Sequence, residues 1–210
     1  MESPAPEPSA APQQTPIADV GEFGLIAHLR DTLGPATDEA LLTGIGDDAA
    51  VYRVSGGTVH VVTTDVLIEG IHFDRTFMPM EHLGFKAISV NVSDVTAMNA
   101  TPRYATVSLG IPESASVEML KTLYTGIQQA CNAYDMTVVG GDTSGGHSLS
   151  VSVTVIGEAQ ASSIVSRSGA TVGDKLCVTG DIGASYAGLK VLLLHRQQLE
   201  EQGDNFQPSL

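Results

Sequence analysis

Residues 81–99 read EHLGFKAISVNVSDVTAMN, a pattern that predicts a long buried helix carrying a charge. Its apolar residues return at the helical period. The β-branched residues among them make it a poor helix in isolation, so tertiary packing must hold it. One stripe, at spacing i, i+4, i+7 and i+11, consists of Ala87, Asn91, Asp94 and Met98. An amide and a carboxylate therefore face the protein interior.

Asp94 is one of five aspartates that lie in apolar, glycine-flanked runs; the five are Asp47, Asp48, Asp65, Asp94 and Asp142. Burying an ionised carboxylate costs on the order of several kcal/mol unless a cation or several donors replace the water. The chain has 10 Lys and Arg against 24 Asp and Glu, and the runs GIGDDAAV, VVTTDV, NVSDV and VVGGDTS contain no basic residue. The pattern favours a divalent metal ion, although Asx turns and strand-ending turns are alternatives for the aspartates outside the helix.

The segments around this helix alternate between strand and helix patterns. Thr63-Thr64-Asp65 ends a predicted strand and offers hard oxygen ligands of the kind that Mg²⁺ accepts. Strands are predicted at 58–64, 104–111, 136–139, 148–156 and 175–179, and helices at 21–33, 81–99, 115–134 and from about 184. These elements predict a disordered tail at 1–18, an N-terminal α+β domain at 19–160, and the start of an incomplete second domain at 161–210.

A glycine-rich run, Gly140-Gly141-Asp142-Thr143-Ser144, can approach phosphate oxygens closely while its carboxylate holds their metal. It is neither a Walker A motif nor a dinucleotide fingerprint. Arg167 is one of few basic residues near these runs, so it either neutralises nucleotide phosphate or lies on the surface. His72 has no Cys or His nearby for a zinc site, which leaves a substrate contact or a structural histidine.

Composition excludes several classes of function. A net charge of −14 argues against nucleic acid and against anionic membranes. The N-terminus has no signal-peptide pattern and no apolar run approaches a membrane span, so we expect a cytoplasmic protein. The cysteines, Cys131 and Cys177, are far apart, and we expect both to be buried, reduced thiols. Carboxylates, hydroxyls and glycine runs with little positive charge together describe a site that meets a polyphosphate through Mg²⁺, which is phosphoryl-transfer chemistry.

Six segments, in this order, resemble the thiamine-monophosphate kinase family: GEFGLI, GIGDDAAV, TTDVLIEGIHF, FKAISVNVSDVTAMNATP, VVGGDTS and SRSGATVGD. That family belongs to an ATP-binding superfamily with aminoimidazole ribonucleotide synthetase and selenophosphate synthetase. The resemblance runs from about Gly21 to Leu193. It implies an α+β domain of the aminoimidazole ribonucleotide synthetase type, with helices on one face of a mixed sheet, sheet pairing in a homodimer, and a second α/β domain beginning downstream.

The resemblance also implies an activity and a set of site residues. The activity is ATP-dependent phosphorylation of thiamine monophosphate to thiamine diphosphate, by direct transfer with several Mg²⁺ ions. His72 would contact the substrate, and Gly141, Asp142 and Arg167 would contact ATP. The implied metal ligands are Asp48, Thr63, Thr64, Asp65, Asp94 and Asp142.

The family continues into a second domain past the position of Leu210, so we expect the 210-residue chain to be a poor catalyst alone. Two alternatives stay open: another ATP-using enzyme of the same superfamily, and a nucleotide-binding or assembly module that does not turn over.

Overall fold

The computed structural model describes residues 14–202, with side chains described as far as Gln198. The helices are α1 (Ile17–Leu33), α2 (Met80–Ala97), α3 (Val117–Ala133) and α4 (Ala184–Gln202), with a short 3-10 helix at Ala161–Ser163. The strands are β1 (Leu41–Thr43), β2 (Ala50–Arg53), β3 (Thr58–Ile68), β4 (Thr101–Ile111), β5 (Thr137–Gly145) and β6 (Ser150–Gln160). The predicted disordered tail lies outside the described residues up to position 13, and its end overlaps the first two residues of α1. The helix α1 has a kink at Gly21, the position where the sequence predicts the helix to begin.

The six strands form one mixed sheet in the order β1-β2-β3-β6-β4-β5. Neighbours are antiparallel except β4 and β5, which are parallel. Parallel neighbours need a crossover connection, and α3 provides it. The α+β class with a mixed sheet is therefore confirmed.

The helix α2 holds the layers together, because it contacts α3 on one side and β3, β6 and β4 on the other. Its sheet-facing side buries Ile88 and Val95 against strand residues such as Val61. Two glycines allow α2 and α3 to approach closely. A Cβ at Gly84 would lie 2.0 Å from the Leu123 carbonyl oxygen, and one at Gly126 would lie 1.8 Å from that of Glu81. The tertiary packing that the sequence requires of this helix is present.

Two aspartates predicted at strand ends lie inside longer strands. Asp65 is a partner of Val153 in the ladder that joins β3 to β6 over its full length. Asp142 lies within β5, because Gly141 pairs with Val107 of β4 and the ladder continues to Gly145. A Cβ at Gly141 would lie 1.8 Å from the Val107 carbonyl oxygen, so this glycine serves the close approach of two strands. The predicted turns after positions 64 and 139 are wrong.

The predicted strand at 175–179 is also wrong, since the segment has no regular structure. Its apolar side chains are exposed, Leu176 at 97% and Val178 at 58%, and no described strand pairs with it. Cys177 is exposed as well, contrary to the prediction, whereas Cys131 is buried as predicted. No helix within residues 14–202 is both long and apolar enough to cross a membrane.

Candidate metal and nucleotide site

A hydrogen bond between α2 and β3 forms the centre of the candidate site. Thr63 Oγ1 donates to Asp94 Oδ2 at 3.0 Å. Thr63 is buried because, like Val61 two residues earlier, it lies on the side of β3 that faces α2. Asp65, two residues further along β3, lies on the same side. The predicted inward stripe of α2 thus meets the predicted Thr-Thr-Asp motif.

Negative charge accumulates at this point. Burial is the largest cause that raises the pKa of Asp94 above its ordinary value, and the hydrogen bond from Thr63 opposes it. The neighbouring charges of Asp65 and Asp48 raise the pKa further, while Arg167 lowers it. A cation would relieve this repulsion, which the Thr63 hydroxyl and Arg167 do not cancel.

Arg167 approaches the site from a segment far along the chain. Its Nε donates to Asp48 Oδ1 at 2.8 Å, and its backbone N–H donates to Asp47 Oδ1 at 3.2 Å. The ion pair with Asp48 raises the pKa of Arg167. Asp47 also accepts from the backbone N–H of Asp48 at 2.9 Å, so Asp47 orders the connection between β1 and β2. The side chain of Asp48 is paired with Arg167 in this structure.

A cleft of about 670 Å³ opens beside these groups. One wall carries polar groups of the site, among them Asp48, Thr63 and Arg167, and the other carries Phe23 and Ile26 of α1. Both α1 side chains are exposed, Phe23 at 80%. The cleft therefore combines an acidic end with an apolar wall, a combination that suits a ligand with a charged end and a flat apolar end.

Thr64 and Asp142 are not brought into the acidic group. The side chain of Thr64 alternates to the opposite face of the sheet, where its hydroxyl donates to the Val153 carbonyl oxygen at 3.1 Å. Asp142 is exposed, and Ser144 Oγ donates to its carboxylate at 3.4 Å. Asp142 and Gly141 lie on β5, three strand spacings or about 14 Å from β3. A single ion cannot bridge that distance.

His72 lies in the turn after β3, away from the acidic group. Its Nδ1 accepts a hydrogen bond from the Ile68 N–H at 3.0 Å, and Lys86 Nζ donates to its carbonyl oxygen at 3.0 Å. It lines a second cleft, of about 500 Å³, with Phe77 and with Tyr186 of α4. Nδ1 thus holds the turn, and Nε2 remains for a ligand.

The donor set fits Mg²⁺ better than a transition metal. Its atoms are carboxylate and hydroxyl oxygens, the hard ligands that Mg²⁺ takes. In the part of the chain that the structure describes, no three His, Cys, Asp or Glu side chains are arranged to hold an ion by themselves. Mg²⁺ is commonly bound by one or two carboxylates together with substrate phosphates, so a cation held here by two carboxylates and a hydroxyl would have its coordination completed by a nucleotide.

One residue of the α2 stripe, Asn91, carries a buried oxygen, unpaired in the described part of the chain, that sequence reasoning did not predict. The side-chain oxygen of Asn91 is fully buried, and it accepts no hydrogen bond within the described residues. The only signal in the sequence is its position one turn before Asp94.

The chain resembles known proteins in both sequence and fold. The family described as "AIR synthase related protein, N-terminal domain" matches residues 46–159. Thiamine-monophosphate kinase of Aquifex aeolicus (strain VF5) is 40% identical over 184 residues, which cover 88% of this chain and 56% of that protein. The enzyme of Bacillus subtilis (strain 168) is 41% identical over 151 residues, covering 71% and 46%. The chain therefore spans about half the length of these curated relatives.

Solved structures agree with the sequence comparison. The structure of AaThiL complexed with AMPPCP and TMP has a TM-score of 0.77 at 37% identity, and the match covers 93% of this chain and 57% of that one. Thiamine-monophosphate kinase from Stenotrophomonas maltophilia K279a has a TM-score of 0.63 at 34% identity, covering 83% and 54%. The chain is thus similar in fold to the N-terminal part of these proteins, and through residues 46–159 it belongs to the AIR synthase related protein family.

Proposed function

We propose that this chain is the N-terminal, metal- and nucleotide-binding part of a kinase that uses ATP to convert thiamine monophosphate to thiamine diphosphate. The observation that carries the proposal is the contact between Thr63 and Asp94, beside the charges of Asp65 and Asp48. This contact gathers oxygen ligands beside a cleft of about 670 Å³ that Asp48 and Thr63 line. The likeness to a kinase structure that holds AMPPCP and TMP supports the same assignment.

The residues divide into two groups in this proposal. Asp65, Asp94 and the Thr63 hydroxyl hold Mg²⁺ at the α2–β3 contact, and Asp48 joins them when Arg167 leaves it. When bound, Mg²⁺ neutralises charge on phosphate oxygens. Arg167, 57% exposed, can turn from Asp48 to a nucleotide phosphate, where its planar fork pairs with two oxygens. Exchange of the partner of Asp48 is then coupled to nucleotide binding.

Asp142 serves a different part of the nucleotide in this proposal. Since it lies about 14 Å across the sheet from Asp65, it needs its own Mg²⁺ ion. By strand register Asp142 pairs with Ser108 of β4 and lies on the sheet face that carries Val66, opposite to the face of Asp65. Gly141 and Asp142 would contact ATP through that second ion.

The substrate and the second subunit complete the proposal. We assign thiamine monophosphate to the second cleft, which His72 lines with Phe77 and Tyr186, and there His72 Nε2 would contact the substrate. We also expect a homodimer through the sheet face that is turned away from α2. That face leaves Val66 and Tyr104 partly exposed, at 45% and 47%.

The test of the activity is transfer of label from γ-labelled ATP. The chain, and a version continued through the C-terminal half of the Aquifex aeolicus relative, are incubated with Mg²⁺, ATP and thiamine monophosphate. We expect labelled thiamine diphosphate and equimolar ADP from the longer protein, and much slower formation from the 210-residue chain. Catalysis needs both phosphates held in line, and lost positioning costs orders of magnitude in rate.

Two results would overturn this assignment. Tight MgATP binding without thiamine diphosphate formation by the longer protein would indicate a module that does not turn over. Equal turnover by both proteins would show that the 210-residue chain already contains the whole active site.

A further inference from the structure

Asn91 presents a buried hydrogen-bond acceptor that the fold does not use. The side chain is 0% exposed. Its Nδ2 donates to the Ala87 carbonyl oxygen at 3.1 Å, which fixes the orientation of the amide, because a carbonyl can only accept. The other end of the amide, Oδ1, accepts nothing within residues 14–202. Buried acceptors are rarely left unpaired, so an unpaired one in a native core requires an explanation.

The position of Asn91 follows from the direction in which α2 crosses β3. Near the end of the helix, Val95 packs against Gly157, which pairs with Val61 of β3. One residue earlier, Asp94 meets Thr63. Residues nearer the start of α2 therefore lie beside residues nearer the end of β3.

The same direction continues to Asn91. From Asp94 back to Asn91 the rise along α2 is about 4.5 Å, and from Thr63 on to Asp65 the rise along β3 is about 6.6 Å. Lys86, earlier on α2, donates to the His72 carbonyl oxygen just after β3, so the same direction holds along the helix. The spacing places Asn91, and with it the orphan oxygen, near the level of Asp65 on the buried side of the proposed metal site.

We propose that Asn91 is a positioning residue of this metal site: its Oδ1 accepts a hydrogen bond from a water molecule bound to the cation held by Asp65, Asp94 and Thr63. This proposal rests on the proposed function, because it needs the cation there. A cation-bound water is a strong donor, and Mg²⁺ keeps several such waters. Groups that orient the ligands of a metal from outside its coordination sphere commonly change affinity by 10- to 100-fold when they are removed.

The test measures Mn²⁺ binding to the 210-residue chain without nucleotide, by the electron paramagnetic resonance signal of free Mn²⁺. Asn91→Leu keeps the shape and removes the acceptor, and we expect Mn²⁺ affinity to fall about 10-fold or more. The metal-free Leu variant should melt no lower than the wild type, because it removes an unpaired buried acceptor. Asn91→Asp keeps an acceptor at the position of Oδ1 but turns the donor to Ala87 into an oxygen, so it should melt lower while its Mn²⁺ affinity stays within about threefold of the wild type or exceeds it.

Two controls separate this inference from the proposed function. Ser93→Ala alters an exposed residue of the same helix and should leave Mn²⁺ affinity unchanged. Asp65→Asn should weaken it. Loss of binding in Asp65→Asn together with unchanged binding in Asn91→Leu would overturn the role of Asn91 alone. If the wild type and Asp65→Asn bind Mn²⁺ equally well, or if neither binds it, both the metal site and the inference about Asn91 are overturned. If Asn91→Leu does not fold, Asn91→Ala is measured with the same expectation, and unchanged affinity there would overturn the inference.

Discussion

Arg167 Nε lies 2.8 Å from Asp48 Oδ1, and the two residues are 119 positions apart in the chain. Without a ligand, the arginine neutralises the carboxylate that the metal site would otherwise use. In the proposed mechanism a nucleotide phosphate would compete for the guanidinium and a cation for the carboxylate. MgATP would offer both at once, so we expect this pair to open in a single binding event.

Replacing Arg167 by Ala should weaken MgATP binding by about tenfold or more, because one charge-assisted phosphate contact is lost. Mn²⁺ binding without nucleotide should instead strengthen, since Asp48 becomes free. The measurement is titration of each ligand by calorimetry. Arg103→Ala is the matched control, because Arg103 is also a partly exposed arginine in an ion pair, with Glu158 at 3.4 Å. Parallel changes in both variants would contradict the exchange.

Asp65→Asn and Asp142→Asn should each weaken MgATP binding by about tenfold or more, since each removes a metal ligand. They should differ in Mn²⁺ binding without nucleotide. Only Asp65 has other site carboxylates near it, so only its replacement should lower that affinity. Unchanged MgATP titrations in both variants would refute the metal-site account.

Asp94→Asn should stabilise the metal-free protein at pH 7 while it impairs metal binding. The folded-state pKa of Asp94 is raised above the ordinary 3.8, first by burial. Between these two pKa values the folded state retains a proton that the unfolded state has lost, so wild-type stability falls as pH rises through this window. The asparagine avoids that loss and keeps an acceptor for Thr63.

The measurement is the melting temperature of the wild type and of Asp94→Asn in chelator over a series of pH values. The variant should melt a few degrees higher at pH 7, and the difference should vanish as pH falls below about 4. Asp142→Asn, at an exposed position on β5, serves as the control. A lower melting temperature for Asp94→Asn at pH 7 would show that the ionised carboxylate stabilises the fold.

His72→Asn should separate a substrate contact from a structural role. Asparagine places an acceptor near the position of Nδ1, so the hydrogen bond from Ile68 can be kept while Nε2 is lost. We expect weaker thiamine monophosphate binding or slower transfer in the longer protein, with MgATP affinity within about threefold. A large drop in melting temperature for this variant, with unaltered kinetics, would identify a purely structural histidine.

Local pattern was enough to predict the helix that carries Asp94, because its apolar period and its charge lie within one element. It was not enough for Arg167, whose partner Asp48 is brought near only by the folded chain. Thr63 and Thr64 looked equivalent as oxygen ligands until strand pairing placed their side chains on opposite faces. Gly141 was interpreted as a phosphate-approach residue, which stays a prediction, and the structure adds that it lets β5 approach β4.

The apolar pattern of 175–179 predicted a strand that the structure does not contain, again because a local pattern does not show what lies beside it in the fold. A strand forms only where it has a neighbour to pair with, and apolar spacing does not supply that neighbour. Leu176 remains exposed in the described chain.

The central claim is that the α2–β3 acidic group binds nucleotide through Mg²⁺. Its most direct test is calorimetric titration of AMPPCP into the wild-type chain and into Asp65→Asn, each with Mg²⁺ and with chelator. The account predicts binding by the wild type that requires Mg²⁺ and that weakens by about tenfold or more in the variant. Binding of equal strength in chelator, or equal Mg²⁺-dependent binding by the wild type and Asp65→Asn, would contradict it.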